Sequence, residues 1–351
     1  MKNNYVAIMA GGIGSRFWPA SSEDKPKQFL DILGIGKSLL RLTYERFLSF
    51  FPEENIYIVT NKRYNSLVNE QIPELSANQI INEPSRNNTA PSVAYTAFKI
   101  FDLNPNANIV MAPSDHVILK EEEFKNHILN ALDFASNNDA LITLGILPTR
   151  PDTGYGYIEF GEKNSDSKFE IFKVKSFREK PNLTTAKTYL ASKKYLWNAG
   201  IFIWSTKSIL SSMEKYAPGV YNKLCAAKGI YNTAKEIAFI EENYPLTTKI
   251  SIDFAVMEKA QNIYTIPADI AWSDLGTWNS LHAFSKKDEN QNVVIGGKSS
   301  LINSSNNIIK ISPDKKVITK DLNDFIVIDE NNTLLIYPKS KEQEIKDIDK
   351  G

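Results

Sequence analysis

Apolar runs of strand length alternate with longer segments of helical period from Tyr5 to Ile146, and this rhythm restricts the chain to α/β architectures. Tyr5–Ala10, Ile56–Thr60, Ile80–Asn82, Asn108–Ala112 and Ala140–Ile146 read as strands. Leu39–Phe51, Tyr64–Leu75, Thr89–Phe101 and Glu121–Asn137 read as the helices between them. The pattern predicts a Rossmann-like, mixed but mainly parallel sheet flanked by helices.

The texture changes twice further on. Tyr157–Phe160 and Ile171–Phe177 read as paired strands, followed by a helix over Leu183–Ser192 and the strand-like run Ala199–Trp204. A helix through Ser251–Ala260, with Phe254 and Met257 inward, completes what looks like an insertion walling a cleft. From Ser285 onward, short β-branched segments (Val293–Ile295, Ile308–Ile311, Val317–Thr319, Phe325–Asp329, Thr333–Tyr337) are separated by Asn, Ser, Asp and Gly. Short strands on polar turns predict a small β domain, a β-helix or roll, although no strict repeat period is visible. The expected division is therefore 1–284 and 285–351, with the charged stretch Lys339–Gly351 as surface helix or tail.

Composition excludes several function classes. Lys plus Arg and Asp plus Glu each total 41, so no global field draws the chain to nucleic acid or an anionic membrane; any anion has to be bound locally. No apolar stretch approaches the roughly 20 residues that span a bilayer, and the N-terminus has no secretory leader, which predicts a soluble cytoplasmic protein. The single cysteine, Cys225, cannot close an internal disulfide and reads as a small packed helix residue. His116, His127 and His282 have no zinc-ligand spacing.

The most informative segment follows the first strand: Met9-Ala-Gly-Gly-Ile-Gly-Ser-Arg-Phe-Trp-Pro-Ala-Ser-Ser-Glu-Asp-Lys-Pro-Lys-Gln-Phe-Leu30. Gly11, Gly12 and Gly14 lack side chains, so backbone N–H groups can close on a polyphosphate, and Arg16 and Lys25 can add full positive charges. A structural turn would account for three glycines alone. A dinucleotide-binding loop needs Gly-x-Gly-x-x-Gly running straight into a helix, with an acidic residue about 20 positions on. Trp18-Pro19 and a polar stretch stand here instead.

The whole pattern resembles the signature of the sugar nucleotidyltransferase superfamily, Gly-Gly-x-Gly-x-Arg followed by a lysine next to proline. Arg16-Phe-Trp-Pro19 and Lys25-Pro-Lys-Gln-Phe-Leu30 are similar to its mannose-1-phosphate guanylyltransferase branch. Enzymes of that branch often carry an arginine near Ser22, which this chain lacks. The resemblance runs through ordered motifs over most of residues 5–280. It implies a nucleotide-diphospho-sugar transferase fold with a short C-terminal β-helix-like domain, and it implies Arg16 and Lys25 on the phosphates of GTP, with Lys27 beside them.

Asn108–Ala112 runs into Pro113-Ser-Asp-His116, and a carboxylate at the carboxyl end of a parallel strand projects into the ligand crevice of open α/β sheets. Asp115 is therefore a candidate magnesium ligand. Asp274, in Trp272-Ser-Asp-Leu-Gly-Thr-Trp278, follows the strand-like run Ile263–Pro267. Mg2+ takes few carboxylates and completes its shell with phosphate oxygens and water. Either aspartate alone could equally be a cap or turn residue; the resemblance implies both as the metal pair. Glu83-Pro-Ser-Arg-Asn-Asn-Thr-Ala-Pro91 begins a helix that Asn88 or Thr89 can cap. The resemblance implies Arg86, Asn88 and Thr89 near the guanine, aided by backbone at Ala10 and Gly11.

Four further segments, Gly154–Ile158, Phe177–Pro181, Trp197–Trp204 and Ser251–Glu258, offer what a hexose phosphate needs. Glu179 and Asn198 suit its hydroxyls, Gly156 suits close backbone approach, Lys180 suits its phosphate, and Asp253 is a further carboxylate. On the residues alone, Glu179–Lys180 could be a surface pair and Trp197–Trp204 a strand whose aromatics only pack.

The resemblance implies a magnesium-dependent transfer of GMP from GTP to α-D-mannose 1-phosphate, by direct in-line attack on the α-phosphorus, with Arg16, Lys25 and Lys180 managing charge. GTP and mannose 1-phosphate are the expected partners, and a homodimer is compatible with them. The nucleophile is already an anion, so no general base is required, and positioning with electrostatics carries the step. The rivals are a nucleotidyltransferase forming GDP-heptose or a UDP- or dTDP-hexose, and a non-catalytic sugar-nucleotide-binding regulator, which would be expected to lose a metal aspartate or the phosphate lysine. Larger bacterial relatives append a phosphomannose isomerase domain beyond this point, and isomerase activity is not expected.

Overall fold

The computed structural model describes residues 2–12, 14–165 and 167–348, and the chain divides into two compact units. The first comprises Met1–Gly11, Tyr44–Pro113 and Ile118–Trp272; the second comprises Gly12–Thr43, Ser114–Val117 and Ser273–Gly351. The sequence suggested one cut after residue 284, whereas the second unit gathers the glycine loop, a loop carrying Asp115 and the C-terminal residues. Residues 349–351 of the expected tail lie outside the described residues.

In chain order the elements run β1 (Asn4–Met9), α1 (Leu39–Leu48), β2 (Ile56–Asn61), α2 (Asn65–Gln71), β3 (Ile80–Glu83), α3 (Thr89–Leu103), β4 (Asn108–Pro113), β5 (Val117–Ile118), α4 (Glu121–Asn137) and β6 (Leu141–Ile146). There follow β7 (Tyr157–Lys163), β8 (Phe172–Arg178), α5 (Leu183–Ser192), β9 (Tyr195–Ser205), α6 (Thr206–Tyr216), α7 (Pro218–Leu224), α8 (Glu236–Asn243), β10 (Ile263–Pro267) and β11 (Trp272–Ser273). The chain closes with α9 (Trp278–Phe284), β12 (Val293–Ile302), β13 (Ile308–Lys320), β14 (Phe325–Glu330) and β15 (Thr333–Pro338).

The first unit is built on one sheet of order β3-β2-β1-β4-β9-β6-β10-β8-β7. Parallel pairing joins β1 to β2 and β4, β2 to β3 and β6 to β10. The sheet is mixed rather than mainly parallel, because β9 enters between β4 and β6 antiparallel to both, and its first residues also pair with β7. Every residue of β2 is buried, as expected of a strand covered on both faces. Ile109, Met111, Phe98, Trp204 and Ile209 share its main core, where each fully buried aliphatic or Phe side chain contributes about 1.5–3 kcal/mol. Strand order reverses between β1 and β4, so the carboxyl ends of these two strands border the crevice in which open α/β sheets hold ligands. Within Ser251–Ala260 the chain makes a single π-type turn, Asp253–Met257; Met257 is buried as expected, but Phe254 turns outward and is 47% exposed.

In the second unit β12, β13 and β14 stack in parallel and β15 pairs antiparallel with β14. The residues leading into the three parallel strands stack in register: Gln291, Asn306 and Asp324 all take positive φ (64°, 55° and 65°), a region that Asn and Asp, at the last two, tolerate better than other non-glycine residues. Asn307 Nδ2 donates to Asn292 Oδ1 at 2.9 Å, and Phe325 N donates to Asn307 Oδ1 at 2.9 Å, so one turn satisfies the next. Phe17, Ile32, Trp278, Ile308 and Ile326 form this unit's core, with the Phe17 and Trp278 rings 4.8 Å apart. The charged C-terminal stretch is tied in rather than free: Ile345 is fully buried, and Asn279 N donates to Glu342 at 2.8 Å. Cys225 sits half-buried just past α7. Among the described residues no helix is long and apolar enough to cross a membrane.

Candidate active site

A cavity of about 340 Å³ in the second unit is lined by Gly14, Arg16, Phe17, Lys27, Asp115, His116, Asp274, Gly276 and Lys346. Lys27 organises it. Its ammonium is 2.7 Å from Asp115 Oδ2 and donates to the carbonyls of Asp274 at 2.8 Å and Leu275 at 3.0 Å, which uses all three N–H directions. The side chain is 5% exposed, so this charge is fixed in place by oxygen partners rather than swept through solvent. Gly14 makes the approach possible: at φ +63° a Cβ would lie 2.6 Å from Lys27 Cβ, so no other residue fits. The loop is braced by Ser21 Oγ donating to Gly14 O at 2.6 Å and Gln28 Nε2 donating to Gly12 O at 2.9 Å.

Asp115 and Asp274, distant in sequence, thus line one cavity. Burial would raise the Asp115 carboxyl, but the Lys27 ammonium, with His116 and a backbone hydrogen bond, holds it below the usual carboxylate range. Asp274 Oδ1 accepts from Gly276 N at 3.1 Å, and a Cβ at Gly276 would lie 2.7 Å from Oδ2, so the glycine leaves room for the carboxylate in its present rotamer. Among the described residues no group of three or more His, Cys, Asp or Glu is arranged to hold a metal ion. Two carboxylates beside a cradle that already accepts a cation are nevertheless a fit for a hard divalent ion that draws its other ligands from phosphate and water.

Lys25 is not part of this cavity. It is exposed in a turn closed by Ser22 N to Lys25 O at 3.1 Å, and it lines a separate recess with Ala20, Leu30, Glu330 and Asn331. Arg16, exposed in a 3-10 turn, does reach the cavity wall.

In the first unit, the residues expected at the base cluster around the ends of β1 and β3. Both backbone groups of Ala10 are engaged, its N–H by Val59 O at 2.7 Å and its carbonyl by Thr60 Oγ1 at 2.9 Å. Arg86 donates to Tyr64 Oη at 2.6 Å and lies over that ring. Asn88, at φ 68°, accepts from Thr89 N and caps α3, while Thr89 Oγ1 accepts from Ile252 N at 2.9 Å. Structural work therefore occupies these side chains.

The residues expected at the sugar also meet in the first unit. Asn198 Nδ2 donates to Asp253 Oδ1 at 3.1 Å, and its Oδ1 accepts from Thr143 Oγ1 at 2.9 Å and Gly200 N at 3.1 Å, which fixes the amide's orientation. A Cβ at Gly156 would lie 2.5 Å from Glu179 Oε2, so the glycine lets that carboxylate rest against the backbone where it now stands. Lys180, itself at φ 44°, pairs with Glu179 Oε1 at 2.8 Å. Burial, then the Glu179 carboxylate, push Asp253 up to about 7 against the pull of a backbone hydrogen bond, Lys180 and Asn198. Sequence reasoning passed over Thr143 and Lys346, which no local motif marks, and set Lys25 above Lys27, two lysines that flank one proline and that only the burial of Pro26–Phe29 separates.

A family model described as nucleotidyl transferase matches residues 5–291. A mannose-1-phosphate guanylyltransferase of Salmonella typhimurium is 36% identical over 346 residues, 97% of this chain and 71% of that protein. One from Escherichia coli is 34% identical, over 97% of this chain and 74% of its own length. A Thermus thermophilus crystal structure, described as a mannose-1-phosphate geranyltransferase, superposes with TM-score 0.88 at 27% identity over 98% of each chain. The chain therefore belongs to the nucleotidyl transferase family, among the mannose-1-phosphate guanylyltransferases.

Proposed function

We propose that the chain transfers GMP from GTP to α-D-mannose 1-phosphate, releasing pyrophosphate and forming GDP-mannose. The observation that carries the proposal is the cavity that joins Gly14, Arg16 and Lys27 to Asp115 and Asp274. Enzymes of this family generally use divalent metal ions. We assign Mg2+ to Asp115 and Asp274, where it would neutralise charge on the departing pyrophosphate.

The chain's own residues do the rest by position and charge. Lys27 holds the two aspartate loops together and adds a fixed positive charge; Arg16 contributes a mobile one, and Lys25 is left without a role in the transfer. Asn198, Glu179 and Asp253 read the hexose hydroxyls, with Lys180 on its phosphate. The C-terminal parallel stack is assigned to a β-helix-like domain on the register of its strands and the shared positive φ of Gln291, Asn306 and Asp324.

Pyrophosphate release measured with four nucleoside triphosphates and a panel of sugar 1-phosphates, with and without Mg2+, tests the reading. GTP with mannose 1-phosphate and Mg2+ is expected to be the fastest combination; a preference for UTP or dTTP would defeat it.

A further inference from the structure

An α-helix through Ser251–Ala260 would turn both Phe254 and Met257 into the core, yet Phe254 stands out in solvent. The cause is the π-type turn Asp253–Met257, closed by Glu258 N donating to Asp253 O at 2.9 Å, a bond that spans five residues instead of four. In an α-helix, residues five apart point about 140° away from one another. The wider bond brings them one above the other, as residues four apart are in an α-helix, so Asp253 and Glu258 project from the same side of the turn.

That side meets the proposed sugar pocket at two points. Asp253 Oδ1 accepts from Asn198 Nδ2 at 3.1 Å, and Glu258 Oε1 accepts from Glu179 N at 3.2 Å. Asn198 and Glu179 themselves converge on Gly156, where an added Cβ would lie 3.4 Å from Asn198 Cβ and 2.5 Å from Glu179 Oε2. The turn is a firm platform for both contacts. Ile252, Ala255, Val256 and Met257 are buried in the main core, Ile252 N donates to Thr89 Oγ1 at 2.9 Å, and Ala90 N donates to Ile250 O at 3.0 Å.

Glu179 depends on such an outside hold. β8 ends at Arg178, so Glu179 lies just past the strand ladder. Lys180 then takes φ 44°, a left-handed conformation that a lysine keeps only where its surroundings impose it, and Pro181 follows with no N–H to donate.

We propose that Glu258 is a positioning residue for the acceptor sugar: its carboxylate, aligned with Asp253 by the π-type turn, holds the backbone of Glu179 and so aims the Glu179 carboxylate at the hexose hydroxyls. The inference rests on the hexose-phosphate reading of this pocket and adds a residue that acts on the sugar only through another side chain.

The test is steady-state pyrophosphate release with GTP and mannose 1-phosphate each varied, for wild type, Glu258→Ala, Glu258→Gln, Glu179→Ala and the Glu179→Ala, Glu258→Ala double variant. Glu258→Ala is expected to raise the KM for mannose 1-phosphate about 10-fold, with the KM for GTP within about twofold and kcat within about threefold of wild type. Glu258→Gln keeps an oxygen for Glu179 N and should stay within about twofold of wild type throughout. If Glu258 works through Glu179, its loss adds less than about twofold once Glu179 is already alanine. An unchanged KM for mannose 1-phosphate in Glu258→Ala, an equal rise in both KM values, a loss in Glu258→Gln as large as in Glu258→Ala, or a full additional loss in the double variant would each overturn the inference. Should Glu258→Ala fail to fold, Glu258→Asp decides, since it keeps the charge and withdraws the carboxylate by one methylene. A rise of about fivefold in the KM for mannose 1-phosphate supports the contact, and a wild-type value overturns it. A wild-type chain that prefers another sugar 1-phosphate would sink the mannose reading itself; mannose preference with an unaffected Glu258→Ala would sink only the role of Glu258.

Discussion

Asp115 and Asp253 are both carboxylates set back from solvent, yet they hold their protons in opposite ways. Burial pushes each upward. At Asp115 the Lys27 ammonium more than offsets it and keeps the group ionised, whereas at Asp253 the Glu179 carboxylate adds to burial and the carboxyl reaches about 7. Depth does not decide ionisation here; the sign of the neighbouring charge does. The contrast matches the two tasks proposed: a cation site needs permanent anions, and a sugar site can use a carboxyl that both donates and accepts.

The comparison is broken most directly at its ionised end. Asp115→Asn removes the countercharge of Lys27 and one of the two carboxylates assigned to the metal, so kcat/KM should fall by about 10²- to 10³-fold. Steady-state pyrophosphate release within about threefold of wild type would show that the Lys27–Asp115 pair is not part of the machinery.

The protonated end is sharpened by a stability titration. The folded Asp253 lies above its unfolded value of 3.8, so between there and about 7 the folded chain holds the extra proton, and stability drops as pH rises through that window. Asp253→Asn removes the penalty and should raise stability at pH 8 by roughly 2–4 kcal/mol while flattening the pH dependence of Tm. Asp115 has the reverse sign: its contribution is present above the ordinary carboxylate value and is lost as pH falls through the lowered one. Parallel Tm–pH curves for Asp253→Asn and wild type would refute the assignment. The smallest effect belongs to Lys346, an exposed cavity-lining lysine; Lys346→Ala should raise the KM for GTP by about 2- to 5-fold and leave kcat unchanged. A fall in kcat instead would place it nearer the reacting groups.

Much of this arrangement was legible in the sequence because the relevant signals are local. The glycine loop and the aspartates after strand-like runs sit where a strand ends, and the Trp197-Asn-Ala-Gly200 motif lies within β9 at a glycine of positive φ. What escaped depends on long-range geometry. Apolar content marks β9 as a strand but carries no direction, so its antiparallel entry could not be foreseen. The regularity of the C-terminal stack was hidden because its turns at Gln291, Asn306 and Asp324 are spaced unevenly and use different residues for one backbone conformation. Lys25 and Lys27 flank the same proline, and only packing against Gly14 reveals which is withdrawn from solvent.

That last distinction supplies the most direct measurement: pyrophosphate release from GTP and mannose 1-phosphate by Lys27→Met and Lys25→Met, each confirmed folded by its Tm. The structure predicts that Lys27→Met loses about 10³-fold in kcat while Lys25→Met stays within about threefold of wild type. Full activity in Lys27→Met with collapse in Lys25→Met would contradict the site.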